Sequence, residues 1–250
     1  MDERHASNSS DFTLAHNIHP RVASSGLWGR NRNLELSHAR SAGDRNLASS
    51  AEAEKIRGRQ ILEQLLASTL VENATGLASD LLDQYGSLSA VLVASAEADN
   101  DDPRTAFLGL VQAALVESLR SKIEGRPIIS RSADLIQYLK AEMAYLDTEQ
   151  VRVLFLNVKN HLMCDEVMGR GSISEAPIYP REILKRAILL NASAIILAHN
   201  HPSGDATPSR ADILATRRLK GSGEELGITV HDHVILSSSG WSSLKELGYL

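Results

Sequence analysis

Apolar residues stand singly through residues 1–50 (Phe12, Leu14, Leu27, Trp28), with no sustained period, and fall into regular patterns only from residue 51 onward. Ile56, Leu62, Leu65, Leu66, Leu70 and Val71 recur near helical spacing among Glu, Lys, Arg and Gln, which predicts an amphipathic helix. A second helical run, Leu77, Leu81, Leu82 and Tyr85, stops at Gly86, where a helix C-terminus favours glycine, and a third runs from Ser87 through Val93. Residues 96–104, with four acids and Pro103, read as a polar link, after which Phe107 to Ile123 return to helical pattern. Residues 51–123 are therefore expected to form a small all-helical unit, and Gly125, Arg126 and Pro127 to mark a domain boundary.

Beyond that boundary the period changes. Asp134 to Tyr145 reads as a helix, and Val151–Val158 and Cys164–Met168 as two strands of a hairpin around Lys159-Asn160-His161. Pro180, a favoured first-turn residue, opens a helix to Leu190, and Ala194–Leu197 reads as a buried strand. Pro208 opens another helix to about Gly221, and Ile228–Val230 and Val234–Leu236 read as two short closing strands. Residues 127–250 are thus expected to be a mixed α/β domain of ordinary single-domain size.

Composition narrows the function classes. The chain has 250 residues, 27.2 kDa, 43% hydrophobic and 23% charged, which excludes collagen-like, coiled-coil and wholly disordered classes. Residues 1–50 hold nine Ser, six Arg, five acids and four His, too little apolar surface to offset ordering entropy, so they read as a disordered leader. The longest apolar run, Ala192 to Ala198 interrupted only by Ser193, is far short of the roughly 18 residues a membrane-spanning helix needs. Cys164 is the single cysteine, which precludes an internal disulfide and makes the cytoplasm the expected compartment; it reads as a small core residue. A net charge of −5 gives no basic footprint for nucleic acid.

The chemistry concentrates in Ala198-His199-Asn200-His201-Pro202-Ser203-Gly204-Asp205-Ala206-Thr207-Pro208-Ser209-Arg210-Ala211-Asp212. In an extended backbone leaving the Ala194–Leu197 strand, His199 and His201 project to the same side. Thr207 is the expected N-cap and Pro208 the first-turn residue of the next helix, which would put Ser209 and Asp212 three apart on one helical face. Two imidazoles and a carboxylate around one point suit zinc, with a fourth position left for water. Asp232-His233, with His231, is expected to pack or to support the ligands rather than to form a second metal cluster.

His199, His201, Ser209 and Asp212 satisfy the His-x-His, seven residues, Ser, two residues, Asp motif, and in this the sequence resembles the JAMM, or MPN-plus, metalloproteases. Within them it is similar to the RadC-like proteins. Arg152-Val153-Leu154-Phe155-Leu156-Asn157, Tyr179-Pro180-Arg181-Glu182 and Asp232-His233 carry that likeness with the motif itself. The close resemblance covers about residues 127–250. It implies a mixed α/β (α+β) zinc domain of JAMM/MPN type, cytidine-deaminase-like, in which His199, His201 and Asp212 hold Zn2+ and Ser209 stabilises the developing oxyanion. It further implies a Glu that activates water; Glu149, just before the Gln150–Phe155 strand, fits the family's place for it, and Glu166, beside Asp165, is the alternative. The implied function is a zinc metallopeptidase or isopeptidase acting on a peptide or protein.

The competing function is a DNA-associated repair or recombination accessory protein with a non-catalytic zinc domain. RadC-like proteins carry a historical DNA-repair label, and residues 51–123 resemble a helix-hairpin-helix module. The Gly-hydrophobic-Gly turn that would bind phosphates is absent, since Phe107-Leu108-Gly109-Leu110 keeps one glycine, and Glu97, Asp99, Asp101 and Asp102 lie just upstream.

Overall fold

The computed structural model of the protein describes residues 52–69, 72–98, 102–128, 132–171 and 177–250, all inside one compact unit, Ser50–Leu250. The leader expected over residues 1–50, and Leu70 and Val71 of the first helix, lie outside the described residues. Four helices come first: α1 (residues 52–67), α2 (Ala74–Tyr85), α3 (Leu88–Glu97) and α4 (Pro103–Ile123). Their ends follow local capping chemistry. Asn73, Ser87 and Asp102 each accept a backbone N–H of the helix that follows, and Gly86, at φ 81°, ends α2 where a side chain would be strained. Leu62, Leu66, Ala78, Leu82, Val91, Leu92 and Leu108 form the core among these helices. Pro103 at the first turn starts α4 four residues before the expected Phe107.

The remaining elements are α5 (Ser132–Met143), β1 (Gln150–Leu156), β2 (Leu162–Arg170), α6 (Pro180–Leu189), β3 (Ala194–Asn200), α7 (Arg210–Glu225), β4 (Thr229–Leu236) and β5 (Trp241–Ser243). The five strands form one mixed sheet in the order β2-β1-β3-β4-β5, with β3 and β4 parallel and the other pairs antiparallel. β3 is buried at every position, because both faces of the sheet are covered. On one face Leu154, Leu156, Ile196, Ala198, Val234 and Leu236 pack on Leu135, Tyr138, Leu139 and Met143 of α5; Val93 of α3 and Ile123 of α4 join this layer. On the other face Val151, Val153, Phe155, Ile195, Leu197 and Val230 pack on Ile183, Leu184 and Ala187 of α6 and Leu219 of α7, with half-buried Cys164 against them. Among the described residues no helix is long and apolar enough to cross a membrane.

The two closing strands expected over Ile228–Val230 and Val234–Leu236 are a single strand, β4, and β5 follows it in a hairpin. The polar run His231-Asp232-His233 breaks the apolar pattern without breaking the strand, because the pairing to β3 shifts by one residue between Val230 and Asp232. Each polar side chain there finds a partner. His231 Nε2 lies 2.7 Å from Asn160 Oδ1, Asp232 accepts from Ser243 Oγ at 2.6 Å and Lys245 N at 3.1 Å, and His233 is engaged inside the α6/α7 layer.

A buried ion cluster ties α4 and α5 to the sheet. Asp165 of β2, its side chain 1% exposed, is 2.6 Å from Arg152 Nη1 of β1 and 3.3 Å from Arg120 Nη1 of α4, and accepts the Tyr138 hydroxyl of α5. Arg152 also pairs with Glu142 of α5. Removing the carboxylate would leave the buried Arg152 guanidinium short of a partner and the Tyr138 hydroxyl without its acceptor, while Arg120, a third exposed, keeps Glu124, so Asp165→Ala is expected to lower stability by about 3–5 kcal/mol in urea unfolding. Glu63→Ala, which breaks the exposed α1 pair with Arg59, is expected to lower it by less than about 0.5 kcal/mol. Equal effects of the two substitutions would refute the cluster's role.

Candidate functional site

The alternation of β3 divides three consecutive residues between two faces of the sheet. His199 shares the α6/α7 face with Leu197, and its pair on β1 is Val151, while Asn200 faces the α5 side. His201 follows the strand end, still tied to β4 by its N–H to Leu236 O at 2.8 Å. The two imidazoles meet, with ring centroids 4.6 Å apart and Nε2 to Nε2 2.7 Å.

The loop after His201 is held from both ends. Gly204 turns it at φ 85°, a left-handed conformation that strains any residue with a side chain, and its N–H bonds back to His201 O at 3.1 Å. The serines of the β4–β5 hairpin staple the same loop, Ser239 Oγ donating to Gly204 O and Ser242 Oγ to Ala206 O at 2.5 Å. Helix α7 then begins at Arg210, so Ser209 is its N-cap, in place of the expected Thr207 and Pro208. Three hydrogen bonds account for the difference. Asp205 Oδ1 captures Thr207 N at 2.9 Å, which holds Thr207 in a turn, and Ser209 and Asp212 form a reciprocal capping box. Ser209 Oγ accepts from Asp212 N at 3.1 Å and Asp212 Oδ2 accepts from Ser209 N at 2.7 Å. That box fixes the carboxylate rotamer with Oδ1 3.6 Å from His199 Nε2 and Oδ2 3.7 Å from His201 Nε2.

The ligand atoms of His199, His201 and Asp212 all lie within 4.8 Å of one another, and this group could hold a metal ion. The donor chemistry fits one. Two imidazole nitrogens at 2.7 Å repel through their lone pairs unless a cation or a proton lies between them, and a carboxylate completes the set. Electrostatics separates the two rings. Burial pushes His199 down to about 4, against the pull of Asp212, so it is neutral near pH 7. His201, half-buried, is raised by the Asp212 carboxylate facing it and by the Asp205 carbonyl, which accepts from its Nδ1 side at 2.7 Å; the negative charge of Glu149 adds to the rise. Burial opposes ionisation of Asp212, but the two histidines and the Ser209 cap together hold its carboxyl well below the usual carboxylate range.

Glu149 immediately precedes β1, level with the strand end that bears His199, and Gly171 N donates to its carbonyl at 2.8 Å. Glu166 lies on β2 opposite Val153 and is paired with Arg186 of α6, which holds its carboxyl below the usual range against the effect of burial. Asp232 serves the β4–β5 hairpin, His231 contacts Asn160, and His233 alone of that trio reaches the site, with Nε2 2.7 Å from His199 Nδ1.

Asn200, Asp205 and Thr216 have roles at the site that the local sequence pattern does not assign. Asn200 is a fully buried polar residue at the end of β3, next to His199. Its Nδ2 donates to Thr148 O at 3.0 Å and Leu146 O at 3.4 Å, and its Oδ1 accepts from Gln150 N at 2.9 Å, which grips the segment carrying Glu149. An amide at the end of an apolar strand, between two histidines, was the available signal. Thr216 stands one helical turn after Asp212, on the same face, and that spacing could have disclosed it. Asn200→Ala leaves one buried N–H and two carbonyls without this partner. The expected outcome is a loss of about 1–3 kcal/mol in denaturant unfolding and faster hydrogen exchange at the Gln150 amide, with amides of the β4–β5 hairpin unchanged.

A family model described as RadC-like JAB domain matches residues 129–249, the stretch that contains the sheet and the His-His-Asp group. A UPF0758 protein of Rhodobacter capsulatus is 40% identical over 204 residues, covering 79% of this chain and 95% of the relative. Another UPF0758 protein, of Ruegeria pomeroyi, is 40% identical over 197 residues, covering 76% and 88%. By sequence, by its JAB-type mixed sheet and by the residues gathered at the end of β3, the chain belongs to the RadC family.

Proposed function

We propose that the protein is a zinc-dependent hydrolase of JAMM type that cleaves a peptide or amide bond, isopeptide bonds included, in a peptide or protein substrate. The observation that carries this reading is the convergence of His199, His201 and Asp212 ligand atoms within 4.8 Å, beside a glutamate whose charge reaches His201. His199, His201 and Asp212 would hold the ion. Zinc, when bound, polarises a carbonyl and makes water acidic near neutral pH.

The chain's own residues would do the rest. Glu149 is the general base, taking a proton from the attacking water and delivering it to the leaving amine. Ser209 uses an oxygen lone pair in the α7 cap, so its hydroxyl proton remains for donation to the oxyanion developing on the substrate carbonyl. Neutral His199, kept so by burial, presents a nitrogen lone pair without losing a proton to solvent first. The division at residues 125–127 into a helical module and a hydrolase domain, and a cytoplasmic location, belong to the same reading.

Elemental analysis of the full chain after exhaustive dialysis is expected to give about one zinc per chain, and Asp212→Ala to lose it. No zinc in the wild type, or zinc retained in the variant, would overturn the metal assignment. Glu149→Gln is expected to keep its zinc while hydrolysis across a panel of peptide and isopeptide substrates falls by roughly 10²–10⁴-fold. Loss of hydrolysis in Glu166→Gln with activity retained in Glu149→Gln would transfer the role of base to Glu166.

A further inference from the structure

His233 stands outside the three converging side chains, yet it is fully buried and both of its ring nitrogens are engaged. Nε2 lies 2.7 Å from His199 Nδ1, and Nδ1 lies 2.6 Å from Thr216 Oγ1. The Thr216 hydroxyl in turn lies 2.6 Å from the backbone carbonyl oxygen of Asp212. Which atom donates in each contact follows from the inventory of protons. A carbonyl oxygen only accepts, so the single hydroxyl proton of Thr216 goes to Asp212 O, and Thr216 Oγ1 must accept from His233 Nδ1–H. No carboxylate is hydrogen-bonded to either nitrogen of His233, and a neutral imidazole whose Nδ1 is the donor has a lone pair at Nε2. Nε2 of His233 is therefore an acceptor, and the proton between the two rings belongs to His199 Nδ1. His199 Nε2 is left as a lone pair directed at His201 and Asp212.

We propose that Thr216 and His233 form a relay that sets the tautomer of His199. It runs from the backbone carbonyl of Asp212 on α7, through Thr216, to His233 on β4 and then to His199 on β3, linking two of the three candidate ligands through hydrogen bonds whose directions are all determined. Both relay residues are positioning residues. The alternative tautomer would place a proton on His199 Nε2, where an ion has to bind. His201 has a shorter device for the same end, since its Nδ1 lies 2.7 Å from the Asp205 carbonyl oxygen, which can only accept. The relay rests on the reading of His199, His201 and Asp212 as a metal site.

Thr216→Val is close to isosteric and removes the hydroxyl alone, and Thr216→Ser restores it. Metal-free full-length wild type and both variants would be titrated with Zn2+ against a chromophoric chelator at neutral pH. The 15N imidazole resonances of the metal-free proteins would be recorded alongside. Thr216→Val is expected to bind Zn2+ about 10- to 100-fold more weakly, with Thr216→Ser near wild type. The His199 proton is expected on Nδ1 in the wild type and shifted towards Nε2 in Thr216→Val. Undiminished Zn2+ affinity in a folded Thr216→Val overturns the relay, as does Thr216→Ser binding as weakly as Thr216→Val. If the wild type binds no Zn2+, the metal-site reading fails. The wild-type spectrum still decides the relay in that case and if the valine variant does not fold, because a His199 proton on Nε2 contradicts it.

Discussion

In a strand covered on both faces, successive side chains enter different layers, and the site is organised around that alternation in β3. His199 enters the α6/α7 layer, where Asp212 and His233 meet it, and Asn200 enters the α5 layer, where it grips Leu146, Thr148 and Gln150. Two neighbouring residues thus do complementary work on opposite sides of one strand. One presents a nitrogen to the candidate metal position, and the other holds the segment that bears Glu149. A shift of register by one residue would exchange them, and burial of every β3 position disfavours such a shift strongly.

Much of the remaining geometry comes from hydrogen bonds that the backbone needs in any case. The first turn of α7 has N–H groups without partners inside the helix, and Ser209 with Asp212 satisfies them reciprocally. The same contacts aim the Asp212 carboxylate at the imidazoles. Asp205 and the hairpin serines likewise satisfy loop groups while setting the position of His201. Little side-chain freedom then remains to be lost when a ligand binds, which is the physical content of a preorganised site.

The helices that precede the sheet are joined to it by charge as well as by apolar packing. Asp165 is almost wholly buried and receives Arg120, Arg152 and Tyr138 from three different elements. Such a cluster contributes little net attraction compared with well-packed apolar groups, but it is specific, because a misplaced α4 or α5 would strand a charge in a dry layer. Val93 and Ile123 supply the non-directional part of the same attachment.

The existence and type of most elements were legible in the sequence, because helical and strand periods report burial directly: α2, α3, α5, α6, the β1–β2 hairpin and β3 all follow their apolar patterns. The His-x-His spacing and the downstream aspartate were legible as a candidate ligand set for the same reason, since strand period and helix start place them near one another. The course of β4 was hidden because its polar residues are satisfied by partners distant in sequence, Asn160, Thr216 and His199, which no local pattern records. The start of α7 was decided by competition between two local hydrogen-bonding schemes, and only the folded loop shows that Asp205 takes Thr207 and leaves Ser209 to cap. The periodicities, the candidate donors and the family likeness follow from residue order alone, because these are properties of residues near one another in the chain. The folded structure decides which face each donor occupies, which carbonyl receives each proton and which buried partner holds Asp165, His199 and the segment around Glu149, because those contacts join residues from 10 to more than 50 positions apart.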